Sequence, residues 1–263
     1  IKHSEAFKER AKPVPILPEV VTYNDIKDDI SNDKNVIIGI AKQSLNAVKF
    51  DFNKTLVNGI ISSDINYIYS FVKPFVNQLM YLNYSKVTLI NTEEIKFEDN
   101  YKKYIEYIDN DFNAYFLKLY NYIIEKNDEY IKNNYSRNSF KDIKHNTIII
   151  LGFEAFANRL SPENKKKLGT LFEKAKDLEI VNFIIMDSVD KYKKIELEFW
   201  YKTCVNPNDG IWIGPGINEQ YTLKVSQRTP ELKEQINEEF CFVIKRGKPT
   251  LVKYVSKFDL NLK

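Results

Sequence analysis

The sequence predicts an α/β fold with a mainly parallel central sheet, helices on both faces and antiparallel strands at its ends. Three observations predict it. Short apolar segments alternate with amphipathic segments of helical period through the middle of the chain. Four consecutive apolar residues, 148–151, precede Gly152, which is typical of a strand buried on both faces. Near both ends of the chain, apolar segments follow one another with only turns between them, which favours antiparallel pairing.

The composition is that of one large domain or two small ones. The chain has 263 residues, 43% of them apolar, and its 39 Lys and Arg against 36 Asp and Glu give a net charge of +3. This near-balance gives no reason to expect a nucleic-acid partner. Cys204 and Cys241 lack metal-site spacing, so we expect two ordinary thiols in a reducing compartment and no metal. The sequence contains neither a membrane-spanning apolar run nor a signal peptide.

Residues 1–34 are expected to form an approach or linker segment before a domain at 35–263. Residues 2–12 are highly charged, and three prolines at 13, 15 and 18 favour an extended backbone. Apolar residues around the prolines suggest packing against this domain or a preceding one. Because the chain begins at Ile1, we expect it to be a piece of a longer protein. Apolar runs at 36–40 and 47–52 then predict a β-hairpin.

The next stretch has the layout of a phosphate-binding loop. A short strand at 55–58 leads to Gly59, and a helix begins near Ile65, with Ser62, Ser63 or Asp64 as its cap. Against the pattern G-x-x-x-x-G-K-[ST], Gly59 keeps the first glycine. Asp64 stands at the second glycine, Ile65 at the lysine and Asn66 at the Ser/Thr. The alternative interpretation is that Gly59 is only a turn glycine after a strand.

The substitutions in this loop remove the chemistry that a nucleotide needs. Isoleucine supplies no positive charge to the phosphates, and aspartate opposes them with like charge. Each lost charge-assisted hydrogen bond removes roughly 1.5–3 kcal/mol. The candidate residues of this degenerate Walker A motif are Gly59, Ser62, Ser63, Asp64, Ile65 and Asn66.

The central elements follow from periodicity. Apolar residues at helical spacing predict a helix from 65 to 79 that Pro74 kinks or divides. Residues 86–90 read as a strand. An amphipathic helix is predicted over about 99–133, with an aromatic stripe at 101–123 that forms either core or a partner-binding surface. Further segments are strands at 146–151 and 181–186, helices at 161–178 and 196–204, and strands at 210–213, 221–225, 239–244 and 250–255.

Two acidic residues follow the buried central strands. Glu154 comes shortly after the strand at 146–151, where a phosphate-hydrolysing motor carries its second nucleotide motif, so it is a possible Walker B remnant. Asp187 follows the strand at 181–186. Because ligands of such sheets bind beyond the carboxyl ends of the strands, we expect the loop at 59–66, Glu154 and Asp187 to share one rim.

Several segments also carry a family resemblance. Residues 15–19, 38–52, the Gly59 loop, 148–154, 210–214 and 242–247 occur in the order expected of FtsK/SpoIIIE-type ATPase domains. The chain resembles this family over essentially its whole length, and it is most similar to the last such domain of EssC-type coupling proteins of type VII secretion. The resemblance implies a RecA-like P-loop NTPase fold. Active members carry lysine at the position of Ile65, Ser/Thr at Asn66 and Asp near Gly152.

The resemblance implies the C-terminal domain of a membrane-anchored coupling ATPase on the cytoplasmic side of a bacterial membrane. Its implied partners are secreted substrate proteins and neighbouring ATPase domains of the same chain or of other subunits. Our first hypothesis is a degenerate domain for substrate recognition and regulation of export. The second is a motor that binds Mg-ATP, at least weakly, and hydrolyses it with Glu154. The third is a DNA translocase module, which the balanced charge disfavours.

Overall fold

The computed structural model describes residues 16–30, 34–93, 95–97 and 101–258. Eleven strands within these residues form one sheet. The strands are β1 (Val21–Thr22), β2 (Val36–Ala41), β3 (Ala47–Phe50), β4 (Val57–Ser62), β5 (Ser85–Asn91), β6 (Glu106–Ile108), β7 (His145–Leu151), β8 (Val181–Ser188), β9 (Gly210–Ile213), β10 (Phe240–Lys245) and β11 (Lys248–Lys257). The α-helices are α1 (Tyr23–Ile26), α2 (Ile65–Leu82), α3 (Phe112–Lys132), α4 (Phe153–Arg159), α5 (Pro162–Ala175), α6 (Val189–Tyr192) and α7 (Tyr201–Cys204).

The sheet confirms the predicted fold class. Its strand order is β3-β2-β11-β10-β9-β4-β8-β7-β5-β6, and β1 pairs with the last residues of β11. The strands from β9 to β6 run parallel to their neighbours, whereas β10, β11, β2 and β3 pair antiparallel. The parallel half is therefore built by helical crossovers and the other half by hairpins.

Each face of the sheet is covered by its own apolar core. In β7, Ile148 and Ile150 belong to the core beneath α3, α4 and α5, while Ile149 and Leu151 belong to the core beneath α2. This alternation is what four consecutive apolar residues predict for a strand covered on both faces. Pro74 lies inside α2 without dividing the helix.

The region predicted as one helix over 99–133 is interrupted. Tyr101–Lys103 is a 3-10 turn, Glu106–Ile108 forms β6, and α3 begins only at Phe112; residues 98–100 lie outside the described part. Asp111 has a left-handed backbone, with φ of 45°, which breaks the helix. Parallel pairing of β6 with β5 has prevailed over local helical periodicity. Most of the aromatic stripe is buried, as the core interpretation predicts.

Two further predictions were wrong or partly wrong. The segment 221–225 forms no strand, because the buried Gln220 side chain accepts from the Leu223 backbone N–H and donates to its carbonyl, at 2.8 and 3.0 Å. These bonds replace a strand ladder. The predicted helix at 196–204 is instead a 3-10 turn, Lys193–Leu197, followed by the single turn of α7.

The described part of the approach segment packs against this domain. Val21 and Ile26 are fully buried, and they share a small apolar cluster with Phe258 near the end of β11. The predicted charged stretch at 2–12 lies outside the described residues. The boundary at residue 34 stays a prediction, but residues 16–30 contribute a strand and a cluster to the same fold. In the described chain, no helix combines the length and the apolarity needed to cross a membrane.

Candidate functional site

The connection between β4 and α2 differs from the expected glycine loop. β4 pairs with β8 over six residues, from Val57 beside Phe183 to Ser62 beside Ser188, so strand pairing continues past Gly59. A Cβ atom on Gly59 would lie 2.9 Å from the Tyr192 hydroxyl oxygen, so close packing explains the glycine. The predicted turn at Gly59 is wrong. The connection consists of Ser63 and Asp64 alone.

Asp64 caps α2 with its own carboxylate. Its Oδ1 accepts from the Asn66 backbone N–H at 2.9 Å and from the Asn66 side-chain amide at 2.8 Å. The buried Ser62 hydroxyl donates to the Asp64 carbonyl, and Ser63 Oγ donates to the Pro215 carbonyl at 3.3 Å. Ile65 is half-buried and packs on the core under α2. An internal anion thus lies where a helix N-terminus would otherwise face a phosphate.

Asp187 and Glu154 lie, like this connection, at the carboxyl ends of the parallel strands, as predicted. We call this part of the molecule the edge. Strand register places Ser62 beside Ser188 and Leu151 beside Met186. Asp187 is the penultimate residue of β8 rather than a loop residue, and it is 1% exposed. Gly152, with φ of 80°, caps α4, and the half-buried Glu154 carboxylate in the first turn pairs with the Lys194 ammonium.

Glu93 also lies at this edge, and no motif in the sequence pointed to it. Its Oε1 lies 3.2 Å from Lys191 Nζ, and its Oε2 accepts from the Tyr69 hydroxyl at 3.1 Å. A Cβ atom on Gly152 would lie 2.6 Å from Glu93 Oε1, so the glycine also makes room for this carboxylate. Glu93 follows β5 by two residues, so the rule that carboxyl ends of parallel strands meet could have found it.

Lys191 lies between the half-buried Glu93 carboxylate and the buried Asp187 carboxylate. Its Nζ lies 4.0 Å from Asp187 Oδ1, which also accepts from the Ser188 backbone N–H at 2.8 Å. Burial raises the pKa of Asp187 to about 6, although the Lys191 charge works in the opposite direction. Burial alone would lower the pKa of Lys191, but its hydrogen bond to Glu93 and the Asp187 charge raise it. Much of the charge of Glu93, Asp187 and Lys191 is therefore neutralised within this group.

These residues do not fit Mg-ATP bound in the P-loop manner. Such binding needs a loop of backbone N–H groups, a lysine for the phosphates and a hydroxyl for the metal. Here the connection is only Ser63 and Asp64. Ile65 stands where the pattern has the lysine, and Asn66 where it has the Ser/Thr. Among the described residues, no group of three or more His, Cys, Asp or Glu side chains could hold a metal ion.

Known structures share this architecture. No protein-family model and no curated protein matches the chain. The cytoplasmic domain of EssC superposes with a TM-score of 0.72 at 12% identity, over 95% of this chain and 50% of that one. The chain has the fold of the EssC and EccC ATPase domains. Thermomonospora curvata EccC (ATPases 2 and 3), solved in complex with a signal sequence peptide, gives a TM-score of 0.66 at 14% identity, over 94% and 45%.

A third similar structure is that of a conjugation coupling protein. The pCW3 coupling protein TcpA, solved with ATPγS, gives a TM-score of 0.63 at 14% identity, over 90% of this chain and 70% of TcpA. The RecA-like fold and the resemblance drawn from segment order are thus confirmed. This chain spans about half the length of the EssC structure.

Proposed function

We propose that this chain is a domain of an EssC-like coupling ATPase for protein export, one that does not hydrolyse ATP itself. It would recognise exported proteins and regulate neighbouring ATPase domains, on the cytoplasmic side of a bacterial membrane. The observation that carries the proposal is the β4–α2 connection, where two residues and the Asp64 carboxylate replace a phosphate cradle.

The electrostatics of the edge support the absence of hydrolysis. A bound triphosphate would meet the Asp64 carboxylate at the helix start, and like charges repel there. Glu154, the Walker B remnant, is paired with Lys194 and so is not free to orient water. The positive charge of Lys191 is already neutralised by Glu93 and Asp187, so it is not free to bind a phosphate.

The role in recognition is supported by the fold and by one relative. EccC is described in complex with a signal sequence peptide. We carry this over as a proposal that the present domain binds a segment of an exported protein. An edge that supplies its own counter-charges needs no ionic ligand, so it is free to serve as a contact surface for a peptide or for an adjoining ATPase domain.

The test is a pair of calorimetric titrations of the purified domain. We expect millimolar Mg-ATP to give no binding that depends on Asp64, and the C-terminal peptide of an exported substrate to bind measurably. Export assays of the full-length protein then compare substitutions at 62–66 with exposed-surface controls. The proposal fails if ATP binds and Asp64→Ala changes its affinity, or if no substrate peptide binds and all the edge variants export normally. A gel shift at low salt tests the DNA hypothesis in parallel.

A further inference from the structure

A cavity lies at the amino ends of β4 and β9, at the opposite ends of these strands from the candidate site. It has a volume of about 380 Å³ and opens between the loop after β3, the segment before β9 and the turn between β10 and β11. Phe50 and Asn58, both buried, line its inner part. A volume of this size falls within the range of small-molecule sites, roughly 300–1,000 Å³.

Three cationic residues from two segments line this cavity: Lys54 after β3, and the consecutive Lys245 and Arg246 at the end of β10. Within the described residues, none of the three side chains forms an ion pair or a hydrogen bond. Burial lowers the pKa of the Lys245 ammonium and the nearby Lys54 charge lowers it further, while the Asp209 and Asp51 charges work in the opposite direction. Like charges held close together create a positive potential that an anion would relieve, to the extent that nearby carboxylates do not offset it.

The turn that carries Arg246 is fixed in place. Arg246 and Gly247 have φ of 51° and 74°, so both central residues of this two-residue hairpin turn are left-handed. Asparagine is far commoner than arginine at the first such position. The Arg246 backbone N–H donates to Asp209 Oδ1 at 2.6 Å, and the Gly247 N–H donates to the Asn208 carbonyl at 2.8 Å. These two bonds fix the turn against the segment before β9 and so hold Arg246 at the cavity.

Two carboxylates also line the cavity, and both are already engaged. Asp51 Oδ1 accepts from the Asn53 backbone N–H at 3.0 Å. Asp209 accepts from the Arg246 backbone N–H and, through Oδ2, from the Asn206 side-chain amide at 2.6 Å. Three cations against two carboxylates leave the wall with a formal charge of +1.

We infer that this cavity binds the phosphate group of a small molecule. A guanidinium fork and two ammonium groups arriving from different directions suit a tetrahedral, doubly charged anion better than a planar carboxylate. The group could belong to inorganic phosphate or pyrophosphate, or to a nucleotide. This inference is independent of the proposed function, because the cavity lies away from Asp64 and Asp187.

The test is calorimetry at low salt with inorganic phosphate, pyrophosphate and ATP as probes. The variants are Lys245→Gln and Arg246→Asn, and the latter keeps a favourable Asn-Gly turn, so folding is retained. Lys248→Gln, at the start of β11 and outside the cavity, is the control of equal charge change. We expect each cavity variant to lose at least about ten-fold in affinity, and the control to lose almost none.

The probes separate the possible sources. Tighter binding of ATP than of pyrophosphate identifies a nucleotide, and equal binding identifies the inorganic anion. ATP held here is also insensitive to Asp64→Ala, which distinguishes it from ATP at the edge. The inference is overturned if none of the three probes binds at millimolar concentration, or if Lys248→Gln weakens binding as much as the cavity variants do.

Discussion

Asp187, which is buried, and His145, which is half-buried, are ionisable residues at opposite ends of parallel strands. Burial raises the pKa of Asp187 to about 6 and, together with the Lys34 charge, lowers the pKa of His145 to about 4. The folded protein therefore binds a proton at Asp187 more tightly than the unfolded chain does, and at His145 more weakly. Asp187 makes stability fall as pH rises from about 4 to 6, while His145 makes it rise between about 4 and 6.5.

We predict that Asp187→Asn stabilises the domain at pH 7 to 8. The amide keeps the shape of the carboxyl group without the charge that burial disfavours, so the gain is of order 2–3 kcal/mol. Urea denaturation from pH 4 to 8 is the measurement. The difference in free energy of unfolding between variant and wild type should grow as pH rises from 4 to 6 and then level off. The contribution of His145 is the same in both proteins and does not affect this difference. A constant difference across this range would contradict the raised pKa.

At the scale of single residues, the sequence located part of the site. Asp187 and Glu154 were placed on the correct edge because they follow strands whose apolar runs are unambiguous. Gly59 was misplaced, because a glycine after apolar residues looks alike whether it turns the chain or admits the Tyr192 ring. Glu93 could not be ranked above other acidic residues, since its partner Lys191 is distant in sequence.

At the scale of elements, close backbone approach limits substitution in β2. A Cβ atom on Gly39 would lie 2.1 Å from the Lys253 carbonyl oxygen and 2.6 Å from Tyr254 Cα, both in the backbone of β11. Gly169 in α5 presents a matched contrast. Its Cβ would lie 2.4 Å from the ring of Phe199, whose side chain is 63% exposed and can move aside.

We predict that Gly39→Ala costs at least about 2 kcal/mol, because β2 and β11 must separate to admit the methyl group. Gly169→Ala should be neutral or stabilising by up to about 1 kcal/mol, since alanine favours the helix. Chemical denaturation of the two variants, prepared in parallel, measures both. Similar losses for both variants would show that backbone proximity is not the deciding factor.

Most elements were predictable, since strands buried on both faces and capped helices have strong local patterns. Ser161, for example, caps α5 as expected, with its Oγ accepting from the Asn164 N–H at 3.3 Å. The exceptions depend on distant partners. β6 exists because β5 pairs with it, and the 221–225 segment stays irregular because Gln220 takes its hydrogen bonds. Neither effect leaves a trace in local periodicity.

At the scale of the whole molecule, the N-terminal segment is expected to contribute to stability rather than to serve as a linker. We predict that a chain starting at Asn35 is less stable than one starting at Ile16, by about 3–6 kcal/mol. That is the worth of burying Val21 and Ile26. Thermal and urea denaturation of the two chains measure the difference. Equal stabilities would instead support the predicted boundary at residue 34.

The overall architecture was predictable from the order of segments, although only 12% of residues are identical in the EssC structure. Order and spacing report on topology, which tolerates almost complete replacement of side chains. They carry little information on chemistry, which depends on a few atoms at one edge. The fold was therefore accessible from the sequence, whereas the arrangement around Asp64 and Lys191 was not.

The shortness of the β4–α2 connection also bears on inheritance. A gene that has lost only a lysine codon can regain it by point mutation, but Ser63 and Asp64 leave no backbone for a phosphate cradle. Restoring one would require inserted codons as well as new side chains. We therefore expect Ile65→Lys alone to recover no ATP binding.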